Sequence, residues 1–471
     1  MLFAQALKVT CKLLSVLVLA RVVSPNDHGL FAMASSVVLL LALFRDAGLG
    51  AAAVQADSLN ETQLNTLFWC HLGLGAGLAV VTLGIARFAA DFYSSPAVSP
   101  LLLSMSGAFL LIGAGGFARA QLERAARFRE VSGLEGAAAI VGTVVMISAA
   151  MAGAGAYSFA TYLLVSEAVA TALAWRALQW RPGEAPQWSS VSELFRTGRN
   201  ITSYHALVHL VQQVDGIIVG RFFGAHALGL YNRANQLLTL PQVHIAVPLN
   251  QVTMATLSRL GRHSIDFNHH ARSTAIAVSH LVLPLFAVCV VLPEETVLIV
   301  LGAQWPEAAP LLRLLAIAAA ATTITSLGYA ISVAAGQTRR LVQSAAFALP
   351  LTLAAVWLGA KRGPVGVAES VAIVNVLLVL PRLWWALHGI STGVSAYISA
   401  LLGPVLATAG FGAGLIAGLI TVREFDWPVR FAVSTCSGII ALALISLVWP
   451  RLRNEWRLVA NYLPFPWRRE A

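Results

Sequence analysis

Residues 221 to 234, "RFFGAHALGLYNRA", repeat the pattern of residues 21 to 34, "RVVSPNDHGLFAMA". The identities are an arginine, a glycine, a leucine and an alanine, at positions 21, 29, 30 and 34 and again 200 residues later. Phe31 and Tyr231 also align. An offset of 200 residues holds about six membrane-spanning helices, so both copies keep the same orientation in a membrane. Parallel repeats of this kind are typical of transporters.

Composition places the chain in the membrane. Of 471 residues, 58% are hydrophobic and 11% are charged, with a mean hydropathy of +0.75. These values exclude a soluble domain of any size. A spanning helix needs roughly 20 apolar residues, and the apolar runs predict an all-α polytopic protein of about fourteen helices. The predicted helices begin near residues 3, 29, 65, 100, 132, 156, 200, 226, 272, 308, 339, 364, 395 and 429.

The net charge of +10 indicates orientation. Arginines gather in alternate connections, which the positive-inside rule places in the cytoplasm together with both termini. We therefore expect contact with anionic lipids and no nucleic acid as a partner. The arginines counted are Arg119, Arg124, Arg127, Arg129, Arg176, Arg181, Arg196, Arg199, Arg259, Arg262, Arg272, Arg339, Arg340, Arg451, Arg453, Arg457, Arg468 and Arg469.

Polar residues recur at helical spacing in three predicted helices, so each set shares one helix face. A charge at the bilayer centre costs roughly 2.5 to 3.5 kcal/mol, which favours a hydrated cleft between two lobes. The sets are Gln5, Lys8, Lys12 and Ser15; His205, His209, Gln212, Gln213 and Gly216; and Asn232, Asn235, Thr239 and Gln242. His205 and His209 have no third ligand nearby in sequence, so we expect no metal site. Arg21 and Arg221 fit either the headgroup boundary or the cleft.

Two carboxylates, Glu167 and Glu369, fall well inside predicted spans. Each is a candidate proton or cation site, and pairing with a donor on a neighbouring helix is the alternative. The chain has no Walker loop, His-Glu-x-x-His or Gly-x-Ser-x-Gly motif. We therefore predict no catalytic residues, no enzyme activity and no cofactor.

The longest internal polar segment is "WRPGEAPQWSSVSELFRTGRN", residues 180 to 200. Ser190 and Glu193 have the spacing of a capping box, which predicts a short interfacial helix. The domain prediction follows from this segment: an N-terminal lobe of six helices over residues 1–198, a second lobe of six over 199–390, and two further helices with a basic cytoplasmic tail over 391–471.

Several stretches resemble a known family in order and spacing: "LARVVSPNDHGLFAMA" (19–34), "DAGLGAAAVQ" (46–55), "VDGIIVGRFFGAHALGLYNRANQLLTLP" (214–241), "LGAQWPEAAPLLRLLA" (301–316) and "AAGQTRR" (334–340). They are similar to the polysaccharide-export flippases of the multidrug/oligosaccharidyl-lipid/polysaccharide exporter superfamily. The resemblance implies a two-lobed, V-shaped transporter in the bacterial inner membrane. It would move an undecaprenyl-diphosphate-linked oligosaccharide from the cytoplasmic to the periplasmic leaflet by alternating access. Expected partners are this lipid-linked substrate, membrane lipids, and polysaccharide polymerase or export machinery.

The family has no single motif that assigns site residues, so the candidates come from the polar faces. For the diphosphate they are Lys8, Lys12, Arg45, Arg221 and Arg233. For the sugar they are Gln212, Gln213, Asn232 and Asn235, with His205 and His209 lining the same cleft. Outward movement of an anion gains roughly 2.3 kcal/mol per charge per 100 mV. Candidate sites for a counter-moving cation are Asp215, Glu167 and Glu369.

Three other functions remain open from the sequence. A multidrug exporter of the same superfamily would have an acid-rich cavity for organic cations, whereas this cleft is predicted to be basic. A flippase for the peptidoglycan precursor would use the same lipid carrier. A membrane polymerase or acyltransferase would carry a large outer loop, and all predicted outer loops are short.

Overall fold

The computed structural model describes residues 2–45, 59–183, 186–187, 192–260, 264–390 and 393–462, with side chains left out for 2–8, 192–212, 338 and 461–462. The regular secondary structure in these residues is helical. The helices are α1 (Leu2–Val22), α2 (Pro25–Ala42), α3 (Glu61–Phe92), α4 (Val98–Arg124), α5 (Phe128–Met151), α6 (Tyr157–Leu178), α7 (Ser192–Pro241), α8 (Val247–Leu257), α9 (Ile265–Val291), α10 (Pro293–Val300), α11 (Ala308–Ala334), α12 (Thr338–Ala360), α13 (Gly363–Leu377), α14 (Val379–Leu387), α15 (Val394–Thr421), α16 (Trp427–Val448) and α17 (Pro450–Tyr462). A π-helical turn, Gln242–Ala246, joins α7 to α8.

Ten helices of the described chain are long and apolar enough to cross a membrane. They are α3 to α6, α9, α11, α12, α15, α16 and the single span that α13 and α14 form together. This confirms the prediction of an all-α, multi-pass membrane protein. The count of about fourteen spans is not confirmed. Helices α1, α2 and α7 lie at the remaining predicted positions, but α1 and α7 carry the polar residues that interrupt an apolar run.

Local signals in the sequence explain where the best-defined helices begin. Ser24 accepts a hydrogen bond from the backbone N–H of Asp27, and Pro25 occupies the first position of α2. At the start of α3, Asn60 and Gln63 form a capping box by exchanging side-chain to backbone hydrogen bonds. These caps satisfy N–H groups that the first turn leaves unpaired.

The chain forms two compact units, unit 1 over residues 1–229 and unit 2 over 230–471. In unit 1, α4 packs against α2, α3, α5 and α6 and buries Phe109 and Phe117 completely. In unit 2, α11 packs against α9, α12, α13 and α14, and Trp305, just before α11, is also fully buried. The lobes predicted over 1–198 and 199–390 stay a prediction.

The interfacial helix predicted around residue 190 is not a separate element in the described chain. Residues 188–191, which include Ser190, lie outside the described residues. From Ser192 the chain is helical up to the break at Gly224, and this helix passes through the predicted boundary near residue 200. Glu193 therefore belongs to the same helix as the predicted polar face.

Candidate functional site

The two copies of the sequence repeat interrupt their helices at equivalent positions. Ser24 separates α1 from α2 with extended backbone angles, φ −67° and ψ 154°. Gly224, 200 residues later, has φ 80° and ψ −176° inside α7. Glycine adopts a positive φ without the steric cost that other residues have. Each copy therefore consists of a helix, a break at the equivalent position of the repeat, and a second helix.

The two copies also pack against each other, and the contacts are reciprocal. A Cβ atom added at Gly29 would overlap the carbonyl oxygen of Ala225, and one added at Gly229 would overlap the carbonyl oxygen of Pro25. Residue 29 thus meets 225 while 229 meets 25, which is the pattern of a two-fold relation between the copies. Such an approach needs glycine at both positions, because only glycine lets the backbones come this close.

Arg221 lies close to the end of α3, on the exposed surface of unit 1. Its Nη1 donates to Ser94 Oγ at 3.0 Å, and its guanidinium carbon lies 5.7 Å from the centroid of the Phe92 ring. Between these two residues, the Tyr93 hydroxyl lies 2.7 Å from Ser36 Oγ. Burial raises the pKa of Tyr93, against a smaller opposing effect of the Ser36 hydrogen bond. Arg221 is exposed, so its guanidinium is accessible to an anion. The contacts with Ser94 and Phe92 orient it.

The other predicted cations differ in exposure. Lys12 on α1 and Arg45 beyond α2 are exposed, while the side chain of Lys8 lies outside the described residues. Arg233 is only 6% exposed and donates to Gln236 Oε1 at 2.5 Å. Of the five cations predicted to bind the diphosphate, Lys12, Arg45 and Arg221 are thus the described ones most open to a ligand.

The predicted sugar contacts are only partly visible. Gln213 and Asn232 are half-buried and Asn235 is exposed. The side chains of Gln212, His205 and His209 lie outside the described residues.

Gln242 was predicted to share a polar face with Asn232 and Asn235. In the structure it has a packing role that the sequence did not indicate. Its Nε2 donates to the carbonyl oxygen of Ala319 at 3.2 Å and to Thr322 Oγ1 at 3.1 Å, both on α11. A side-chain amide in this position joins two helices, because hydrocarbon offers it no other partner. The expectation that Gln242 faces a hydrated cleft is therefore replaced by a helix-to-helix contact.

Glu167, in the middle of α6, is paired with Arg119 on α4. Arg119 Nη2 and Glu167 Oε2 are 2.9 Å apart, and about a fifth of each side chain is exposed, 21% and 19%. The sequence analysis assigned Arg119 to a cytoplasmic loop, and this was wrong because α4 continues to Arg124. A basic residue near a predicted span end cannot be placed by charge alone.

The other two carboxylates occupy different environments. Glu369 lies in the second turn of α13, rather than deep in a span, and pairs with Arg362 at 3.1 Å with 42% of its side chain exposed. Asp215 is half-buried in α7, and its Oδ1 accepts from the backbone N–H of Gly216 at 2.8 Å. Their predicted role in cation coupling stays a prediction.

One buried polar cluster in unit 2 was not predicted. His280 Nε2 lies 2.9 Å from Glu455 Oε2, and Arg451 Nε donates to Glu455 Oε1 at 3.0 Å. The residues are 175 positions apart in the first pair, so no local spacing could indicate it. Among the described residues, no group of three His, Cys, Asp or Glu side chains is arranged to hold a metal ion.

Comparison with known proteins identifies the family to which the chain is similar. Residues 18–310 match the family model described as "Polysaccharide biosynthesis protein". The chain is 23% identical to the lipopolysaccharide biosynthesis protein WzxC of Escherichia coli (strain K12), over 65% of this chain and 62% of that protein. It is 25% identical to the succinoglycan biosynthesis transport protein ExoT of Rhizobium meliloti (strain 1021), over 81% and 77%. The chain thus spans less than two thirds of the length of WzxC.

Solved structures of low sequence identity share the fold. The lipid II flippase MurJ, in an inward closed conformation, superimposes with a TM-score of 0.76 at 14% identity, over 96% of this chain and 99% of that one. An inward-facing multidrug resistance transporter of the MATE family in the MOP superfamily gives 0.65 at 14% identity, over 83% and 96%. The predicted all-α membrane fold is therefore confirmed, and it is the fold of these two transporters.

Proposed function

The chain belongs to the polysaccharide biosynthesis protein family, and from this we propose that it is a flippase for a lipid-linked oligosaccharide. The substrate would be an undecaprenyl-diphosphate-linked repeat unit of an exopolysaccharide or O-antigen. It would move from the cytoplasmic to the periplasmic leaflet of a bacterial inner membrane, with both termini in the cytoplasm. Membrane lipids and polysaccharide polymerase or export machinery would be its partners.

The observation that carries this proposal is the reciprocal packing of the two repeat copies at Gly29 and Gly229. Transporters built from parallel repeats operate by alternating access, and the reciprocal contact supports such a repeat in this chain. The names of WzxC and ExoT point to lipopolysaccharide and succinoglycan as the products served by these relatives.

The chemistry of the substrate matches the accessible cations. A diphosphate cannot cross hydrocarbon unaided, while a polyprenyl tail remains in lipid. The diphosphate would be bound by the exposed Lys12, Arg45 and Arg221, together with Lys8 and Arg233. The sugar hydroxyls would be bound by the side-chain amides of Gln212, Gln213, Asn232 and Asn235. His205 and His209 would line the same cleft. The arginine partners of Glu167 and Glu369 favour a packing role for these two. Asp215, Glu167 and Glu369 are the three candidate sites for a counter-moving cation, and Asp215 is the one that lies on the helix of the predicted polar face.

The test measures the leaflet that holds radiolabelled undecaprenyl-diphosphate oligosaccharide in cells with and without the gene. We expect the deletion to accumulate it on the cytoplasmic face and the wild-type gene to relieve this. Lys12→Ala and Arg221→Ala should each slow export about tenfold or more, because a hydrogen bond to a charged group contributes about 1.5 to 3 kcal/mol.

Matched controls are Lys361→Ala and Arg423→Ala, which remove exposed charges from connections between helices. Both should export at the wild-type rate. An unchanged leaflet distribution in the deletion, accompanied by altered chain length or acylation of the polysaccharide, would indicate an enzyme and contradict the proposal. Equal slowing by the control variants would contradict the assignment of Lys12 and Arg221.

A further inference from the structure

An open cavity of about 480 Å³ lies in unit 2 between α9, α15 and α17. Its polar wall consists of Asn268, His269, Arg272 and Ser273 on α9 and Arg451 and Glu455 on α17. The sequence analysis gave the segment around residues 268 to 272 no role beyond orientation. In the structure this segment forms the first two turns of α9, so its side chains have fixed places on a helix.

Arg272 supplies the charge that this cavity leaves uncompensated. It is half-buried, and among the described residues it forms no hydrogen bond or ion pair. The only carboxylate in the described wall, Glu455, is already held by His280 at 2.9 Å and by Arg451 at 3.0 Å. A partly desolvated guanidinium without a partner is unfavourable, and an anion in the cavity would remove this cost.

The wall of the cavity is held in place by buried contacts. Glu455 is 6% exposed, and its carboxylate occupies a gap at Gly403 on α15 that any Cβ atom would fill. The Trp456 ring lies 4.7 Å from that of His280, and Arg451 donates to the carbonyl oxygen of Ser399. Helix α17 is thus fixed to α9 and α15, and Arg451 and Arg272 line the cavity between these helices.

The remaining lining is apolar and the surroundings suit a membrane surface. Ile265, Ile276 and Leu458 form the apolar wall. Helix α17 buries Leu452 and Val459 and exposes Arg453 and Arg457. An apolar face opposite a basic face is typical of amphipathic helices that lie in the plane of the membrane interface. A ligand for this cavity therefore combines an anionic head with an apolar body.

We propose that this cavity binds the phosphate headgroup of an anionic membrane phospholipid, with Arg272 and Arg451 as its cationic partners. The site is separate from the residues assigned to the transported substrate and goes beyond the proposed function. The nearby loop arginine Arg259 belongs to the set that the positive-inside rule places in the cytoplasm, where anionic lipids are concentrated. Bound lipid would add to the contacts that already hold α17 against α9 and α15.

The test uses the full-length protein in nanodiscs of phosphatidylcholine, with or without phosphatidylglycerol, and measures retained phosphatidylglycerol by native mass spectrometry. We expect wild-type protein to retain it, and Arg272→Gln to retain it about tenfold or more weakly, as the loss of one charge-assisted hydrogen bond implies. Arg457→Gln removes an exposed charge from α17 outside the cavity and should behave as wild type.

A second variant guards against misfolding of the first. His269→Asp places an anion on an exposed part of the wall and should also abolish retention, with an unchanged melting temperature in phosphatidylcholine. Equal retention by wild type, Arg272→Gln and His269→Asp would overturn the proposal. Inorganic phosphate that displaces phosphatidylglycerol, or that raises the melting temperature in phosphatidylcholine as much as the lipid does, would show that the site takes a soluble phosphate and would overturn the lipid assignment.

Discussion

Leucine at Gly29 is expected to reduce export to the level of a gene deletion. The new Cβ would overlap the carbonyl oxygen of Ala225, which is backbone and cannot rotate away. Overpacking of a core costs about 1 to 3 kcal/mol when side chains can shift, and here the helices themselves must separate. We expect a cost at or above that range, measured as a lower melting temperature of the purified protein together with lost export in cells.

The reciprocal contact gives this prediction a second, independent form. Gly229→Leu would overlap the carbonyl oxygen of Pro25 and should produce the same defect. Gly84→Leu, on the exposed face of α3 where no heavy atom lies within 4 Å of the added Cβ, should export normally. Full export by Gly29→Leu or Gly229→Leu would show that the two repeat copies do not need to approach this closely.

Much of the fold follows from the sequence because hydrophobic length and repeat spacing are local or periodic signals. The helix break at Gly224 lies where the repeat with Ser24 places it, between the predicted seventh and eighth helices. The prediction that a short interfacial helix near Glu193 is separate from the next helix was wrong, because a charged amphipathic stretch can continue directly into a longer helix. Whether two such helices are separate depends on packing, which one sequence does not show.

The candidate site was less predictable because helical spacing gives a face and not a partner. Gln242 was predicted to share a polar face with Asn232 and Asn235, but its side-chain amide donates to α11. Arg119 looked like a loop residue because arginines at 124, 127 and 129 follow it. Its partner Glu167 lies 48 residues away, and the buried pair of His280 and Glu455 is separated still further. Such contacts require the three-dimensional arrangement of helices.

The ion pair of Arg119 and Glu167 gives the other large expected effect. Glu167→Gln leaves a guanidinium between apolar helices, and Arg119→Gln leaves a carboxylate there. Breaking a fully buried pair costs about 3 to 5 kcal/mol. Since about a fifth of each side chain is exposed, we expect each single change to destabilise unit 1 by roughly 1 to 3 kcal/mol and to reduce export by about tenfold. Melting of purified protein and export in deletion cells measure the two effects.

The double variant, Arg119→Gln with Glu167→Gln, separates packing from coupling. Two amides can hydrogen-bond each other without a net charge, so we expect the double variant to regain both melting temperature and export. Glu369→Gln, which removes an exposed partner of Arg362, is the control and should change stability by no more than about 1 kcal/mol. A double variant that melts like wild type but exports nothing would instead show that the charged pair itself acts in transport, because its stability would exclude a packing defect. In that case, the charge that Arg119 and Glu167 hold between α4 and α6 would be coupled to movement of the substrate.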